Sequence, residues 1–270
     1  MTFNFFSASQ LVKRLFFISL MLSVLLFSAC GGGGGSSEGD LTDGITVTFN
    51  ASPRQSLSAT GERLSAPAGA KTFYNHEGVK ITLKTAYLVI WSVSIKTDCN
   101  SIDFATWWNP LLNLLIPNAQ AHAQTTPTQL GTPNAINLLD ADGQNIILGE
   151  IYPAPASYCG MQIDLMKADE DTQHLPQTLN LLNRVLYIEG EYLPVGATEA
   201  IPFKLDIAKT PRPQSLRFST PLVLSNTQRT ATLDFYVHYD RWFDGVDFSA
   251  LNTDTQIDWV LNNVTESLGL

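Results

Sequence analysis

Val79–Ile95 reads VKITLKTAYLVIWSVSI, and its periodicity decides the fold class. Val79, Ile81 and Leu83 alternate with polar residues. Tyr87, Val89, Trp91, Val93 and Ile95 then line one face of a long strand, with Leu88 and Ile90 on the other. A period of two sends successive side chains to opposite faces of a sheet, so the stretch predicts a pair of strands with a buried face. The same alternation recurs outward along the chain. It appears in GITVTFNA (Ile45, Val47, Phe49) and in YCGMQIDLM (Cys159, Met161, Ile163, Leu165). It appears again in IPFKLDI (Ile201, Phe203, Leu205, Ile207) and TLDFYVHY (Leu233, Phe235, Val237). Gly, Pro, Asn and Asp separate these runs, as turns require. Leu138–Leu148, LLDADGQNIIL, reads as a hairpin with Asp-Gly at its tip. Only the C-terminus changes period: Ile257, Val260, Leu261, Val264 and Leu268 fall at helical spacing, with Thr253 or Asp254 placed to cap. The expected fold is all-β, an antiparallel β-sandwich over 42–270 with one C-terminal helix packed on it. The pattern leaves open whether the strand order is immunoglobulin-like.

The N-terminus carries a different instruction. Lys13 and Arg14 precede the apolar run Leu15–Phe27, which is broken only by two serines and followed by Ser28, Ala29 and Cys30. A positive start, a short apolar stretch and small residues before a cleavage point define an export signal. The run is shorter than the roughly 20 residues of a membrane-spanning helix. Leu26-Phe27-Ser28-Ala29-Cys30 resembles a bacterial lipobox, with Phe27 where Leu is preferred. The expectation is a lipoprotein signal peptide over 1–29, removed so that Cys30 bears the lipid. GGGGGSSEGD, from Gly31 to Asp40, cannot bury apolar surface and reads as a flexible tether within 30–41. Gly31 after the cysteine, with no Asp there, resembles lipoproteins sorted to the outer membrane.

Charge and cysteine usage fit that compartment. The precursor has 16 Lys and Arg against 25 Asp and Glu. Two of the basic residues and none of the acidic ones lie in the signal, leaving 14 against 25 and a net charge of −11 for the mature chain. Such a protein is poorly suited to nucleic acid or anionic headgroups. With Cys30 taken by lipid, Cys99 and Cys159 remain, an even pair in an oxidising compartment, and a disulfide between them is expected. It would close a ring of about 60 residues, worth roughly 4 kcal/mol on the chain-entropy model.

Asn109–Pro133 is a long loop with four prolines inside that ring. Loops of this length within a domain are usually functional or disordered. Trp107, Trp108, Leu111, Leu112, Leu114, Leu115 and Ile116 make its start densely apolar. That stretch reads either as a lid over an open sandwich end or as an exposed patch for a membrane or a partner. Further on, His122 sits in AQAHAQ among small residues; His76 precedes a strand in YNHEG, and His238 ends one in VHYDRWFD. Imidazoles brought together from separate strands and loops would suit copper or zinc. Three unrelated histidines are the plainer reading of the same residues. Asp140, Asp142 and Asn145, and separately Asp240, Asp244 and Asp247, gather oxygens as calcium loops do, but the first set lacks a distal Glu and lies where a turn is needed. No GxSxG, HExxH, P-loop or GxGxxG occurs, so no nucleophile–base or nucleotide motif points to an enzyme.

Five stretches taken together resemble a known family. They are TVTFN (46–50), GVKITLKTAYLVIWSVSI (78–95), LGTPNAINLLD (130–140), PAPASYCGMQIDL (153–165) and FDGVDFSAL (243–251). They are similar in style to the metallo-mystery pair (MbnP-like) proteins, small bacterial β-sandwich lipoproteins that pair with di-haem peroxidase-like enzymes in copper-related systems. The likeness is spread over most of the mature chain. That group carries four cysteines where this mature domain carries two. The resemblance implies a metal-handling role. The expectation is therefore a membrane-tethered, non-enzymatic binding protein of the cell envelope. Its ligand would be a transition metal, copper first, held by His122 with His76 or His238. The alternative is a metal-free module that docks an envelope partner through 107–116.

Overall fold

The computed structural model describes residues 44–56, 68–98 and 125–270, all of them in one compact unit. The segments read as signal and tether, Cys30, Cys99, Trp107–Ile116 and His122 lie outside the described residues.

The described chain is all-β with a single α-helix. Its strands are β1 (Thr46–Arg54), β2 (Lys71–Tyr74), β3 (Lys80–Lys96), β4 (Gln129–Leu130), β5 (Asn134–Asn137) and β6 (Ile146–Ile151). They continue as β7 (Ala156–Leu165), β8 (Leu186–Leu193), β9 (Ile201–Ile207), β10 (Gln214–Leu224), β11 (Thr230–His238) and β12 (Leu268–Gly269), with helix α1 at Asp254–Glu266 before the last strand. Two sheets form. The smaller has the order β12-β11-β1-β6; the larger runs β10-β7-β3-β8-β9, with β2, β4 and β5 also pairing β3. The strand pairs are antiparallel except β1 with β11, which run parallel.

The core lies between the sheets, and the alternating residues supply it. Ile45, Val47, Phe49, Phe235 and Val237 from the small sheet are fully buried, as are Ile81, Leu83, Leu88 and Ile163 from the large one. Val260, Leu261 and Val264 bury one side of α1, and the Thr253 hydroxyl caps it by accepting from the Gln256 amide. Leu268, at helical spacing in the sequence, belongs instead to β12.

Two sequence expectations need correction. Val79–Ile95 is not a strand pair but one strand of 17 residues, and its faces change along its length. The pairing register slips between Leu83 and Thr85 and again between Ile90 and Ser92. Each bulge inserts one unpaired residue and turns every later side chain to the other face. The main core therefore takes Ile81 and Leu83, then Ala86, Leu88 and Ile90, then Val93 and Ile95. Val89 faces the other way and packs with Ala135, Ala168, Leu181 and Tyr187 in a second, smaller cluster.

The segment Leu138–Leu148 is not a hairpin either. β5 pairs with β3 in the large sheet and β6 with β1 in the small one, so the chain crosses between sheets here. Gly143 does take the positive φ of a turn, +76°. Asp142 beside it is held inside the domain rather than at an exposed tip.

Candidate functional site

The described chain leaves β3 at Asp98 and resumes at Thr125, at the same end of the large sheet. β4 pairs Val93 and Ser94, and the Ile95 amide donates to the Thr128 carbonyl, so the returning chain runs back along the strand it left. β1 begins at this end too: its Phe49 lies opposite Gly149, which packs on Leu130 of β4, and Thr46 lies beyond.

This end carries an open cleft of about 550 Å³ between β3, β4, β7 and β10. Ser94, Lys96, Asp98, Gln129, Gln162 and Arg217 give it polar walls that carry both cationic and anionic side chains. A hydrogen-bonded chain through buried Ser92 links two of the lining residues, Gln129 and Gln162. Gln129 Nε2 donates to Ser92 Oγ at 3.2 Å, Ser92 Oγ to Asp164 Oδ2 at 2.5 Å, and Gln162 Nε2 to Asp164 Oδ1 at 2.8 Å. Ser92 is only 1% exposed, so this chain satisfies a hydroxyl that would otherwise be buried unpaired.

Cys159 sits at the same end and is disulfide-bonded. Its partner lies outside the described residues. Its neighbour Gly160 pairs with Lys96 of β3, two residues before the described chain stops at Asp98. On the other side, Arg217 pairs with Gly160 and Leu222 with Tyr158, so four residues of β10, Phe218–Pro221, stand opposite Cys159.

The described histidines lie elsewhere. His76 is exposed in the turn after β2, at the opposite end of β3, where its backbone amide donates to Asp244 Oδ1 at 2.8 Å. His238 ends β11, half-buried, opposite Arg54, with its amide 3.3 Å from the Ser267 carbonyl. Gln129 pairs with Ser94, so some 14 residues of β3, roughly 45 Å of extended strand, separate the return of the chain from the turn that holds His76. Three residues, His122 to Thr125, reach at most about 10 Å. Among the described residues no group of three or more His, Cys, Asp and Glu is arranged to hold a metal ion. His174 accompanies Asn134, with Nδ1 and Oδ1 3.1 Å apart.

The acidic residues are engaged in the fold. Asp240 accepts from the Ser56 amide, Asp244 from the His76 amide, and Asp247 from the Ser249 amide. Asp142 is the centre of a buried cluster. Lys71 Nζ lies 2.8 Å from its Oδ1, with the lysine side chain 0% exposed and the aspartate 4%. The Tyr239 hydroxyl is 3.0 and 3.2 Å from the two carboxylate oxygens, and the Gln55 amide donates to Oδ2 at 3.2 Å. Phe73 packs beside this tyrosine, with the two rings 5.6 Å apart, and stacks on Phe243 at 6.4 Å. Burial and the adjacent Asp142 carboxylate push the Tyr239 phenol far above its ordinary range, so it stays protonated as a donor. Burial also lifts Asp140, against the pull of the Lys71 ammonium. Lys71 shares the buried phase of Phe73 in β2, but a lysine rarely occupies a core without a partner, and its partner Asp142 lies in a distant part of the chain, so nothing local singles it out.

Comparison of the chain with protein-family models, with characterised proteins and with solved structures returns no match. No helix among the described residues is long and apolar enough to cross a membrane.

Proposed function

We propose that the chain is a lipid-anchored, non-enzymatic binding protein of the cell envelope that docks a partner protein at the β3–β7–β10 end of its large sheet. One observation carries this reading. The chain departs and returns at the same sheet end, beside a polar cleft and a disulfide-bonded cysteine. The sequence joining the two points contains the apolar run Trp107–Ile116. A disulfide at the base of such a segment lowers the entropy lost when the segment engages a partner. The domain's chain also enters at this end, so a partner resident in the same membrane is the class the anchor favours.

The test compares the wild-type lipoprotein with a variant in which Leu111, Leu112, Leu114 and Leu115 are changed to serine. Both are recovered from envelope extracts after cross-linking in cells. A partner of one defined mass that the wild type captures and the variant loses supports docking; equal recovery contradicts it. Copper and zinc titration of the wild type and of His122→Ala separates the transition-metal reading. Tight stoichiometric binding abolished by His122→Ala would replace docking with metal binding as the protein's role.

A further inference from the structure

The Lys71–Asp142 pair has the surroundings of a reacting pair as well as of an ion pair. A lysine amine and a carboxyl can condense to an amide inside a protein when three conditions meet. The two groups must be held in contact, since fixed geometry replaces a bimolecular encounter. Water must be excluded, so that neither charged form is solvated and the product amide is favoured over a desolvated ion pair. Neighbouring groups must carry the protons.

All three hold at this position. The contact is 2.8 Å between Nζ and Oδ1, with both side chains withdrawn from solvent. The Tyr239 ring lies 5.6 Å from Lys71 Nζ, Phe73 packs against that ring and against Phe243, and all three aromatic residues are buried. The Tyr239 hydroxyl reaches both oxygens of the acceptor carboxyl, and the Gly69 amide donates to the Leu139 carbonyl at 2.7 Å, which sets the backbone of Asp140 beside the backbone that leads into Lys71. The Gln55 amide pins the second oxygen, so the carboxyl cannot rotate away.

We propose that Lys71 and Asp142 form an intramolecular isopeptide bond, joining the first residue of β2 to the crossover between β5 and β6. Transfer of one proton within the pair leaves an amine and a carboxylic acid. The amine lone pair attacks Asp142 Cγ, forming the Nζ–Cγ bond. The tetrahedral centre loses one oxygen by breaking a Cγ–Oδ bond, with Tyr239 donating toward the departing oxygen. The nitrogen gives up a proton through the Asp140 carboxyl, and one water leaves. The atoms balance as amine plus acid to amide plus water, with no oxidant, cofactor or added energy source. The product removes a buried charge pair and closes a covalent ring from residue 71 to residue 142 independent of any disulfide. The inference stands apart from the docking reading, because it concerns the opposite end of β3 and needs no partner.

The test is mass spectrometry of the full-length protein purified from membranes, with disulfides reduced and the chain digested. The expected result is a branched peptide in which the Lys71 and Asp142 segments are joined and lighter by one water than the two peptides together. Tyr239→Phe and Asp140→Asn are expected to lower the joined fraction at least several-fold in folded protein, which an ion pair alone would not register. Full recovery of the two separate peptides from the folded wild type overturns the proposal, whether or not any variant folds.

Discussion

Lys71 Nζ lies 2.8 Å from Asp142 Oδ1 in a part of the fold that admits almost no solvent to either side chain. This contact ties β2 to the sheet crossover and, through the Tyr239 hydroxyl and the Gln55 amide, to the ends of β11 and β1. Removing one partner strands the other in a low-dielectric interior. Lys71→Met removes the bond proposed to join the two residues and leaves the Asp142 carboxyl buried without its partner, so it is expected to destabilise the domain by at least about 3–5 kcal/mol; adding Asp142→Leu is expected to recover only the part due to the stranded carboxyl, whereas recovery of nearly all the loss would mark the wild-type pair as ionic. Chemical denaturation of the wild type and the single and double variants checks both directions.

Gly190, in β8, is a packing requirement. A Cβ there would fall on the Thr82 carbonyl oxygen across the strand pair and 3.1 Å from the Phe203 ring. Backbone cannot yield as a flexible side chain can. Gly190→Ala is therefore expected to cost about 1–3 kcal/mol or more, read as a lower denaturation midpoint.

The Thr253 cap offers a smaller and cleaner measurement. Its hydroxyl satisfies an amide in the first turn of α1. Thr253→Ala should cost about 1 kcal/mol, and Thr253→Ser should recover most of it.

Asp244 supplies a dependence on pH. Burial raises its carboxyl above the ordinary value of 3.8, with Glu77 and Asp240 adding to the shift and the His76 amide opposing it. A raised folded-state value means that the fold favours the protonated acid. That contribution is complete below the unfolded value and is lost as pH rises through the folded one. Asp244→Asn keeps an oxygen for the His76 amide and cannot ionise. Relative to wild type, its stability is expected to gain as pH increases from below 3.8 toward neutrality. Unfolding midpoints at acid and neutral pH check the sign; a gap that closes instead of widening contradicts it.

Lipidation at Cys30, as proposed, has its own test. Cys30→Ser should move the protein from the membrane fraction to the soluble fraction of the envelope, read by immunoblot. Retention in the membrane fraction would remove lipid at Cys30 as the means of attachment.

Most core residues were legible in the sequence where a strand kept one register, although Ile201 of the same alternation is 44% exposed at the start of the edge strand β9. Val47 and Phe49, Phe235 and Val237, and the Val260–Val264 side of α1 went to the core as their spacing predicted. The bulges in β3 were not legible, because a slip beside Lys84 or Trp91 depends on which strand pairs there, and those strands come from elsewhere in the chain. The Asp-Gly turn was read correctly as a turn and wrongly as a hairpin tip. Local turn chemistry at Gly143 does not say whether the flanking strands join the same sheet. Lys71 escaped notice for the same reason at longer range: nothing within 70 residues of it signals a buried carboxylate. His76 and His238 were legible as imidazoles just before and at the end of strands, but their placement away from the end where the chain returns at Thr125 is a property of β3's length and direction.

The central claim is that a partner docks at the β3–β7–β10 end. The most direct measurement places a photoreactive side chain at Thr128, exposed beside the cleft, and separately at Thr232, exposed on the outer face of the small sheet, and irradiates living cells. One adduct of defined mass is expected from Thr128, absent from Thr232 and lost when Leu111, Leu112, Leu114 and Leu115 are serine. No adduct from Thr128, or the same adducts from both positions, would contradict it.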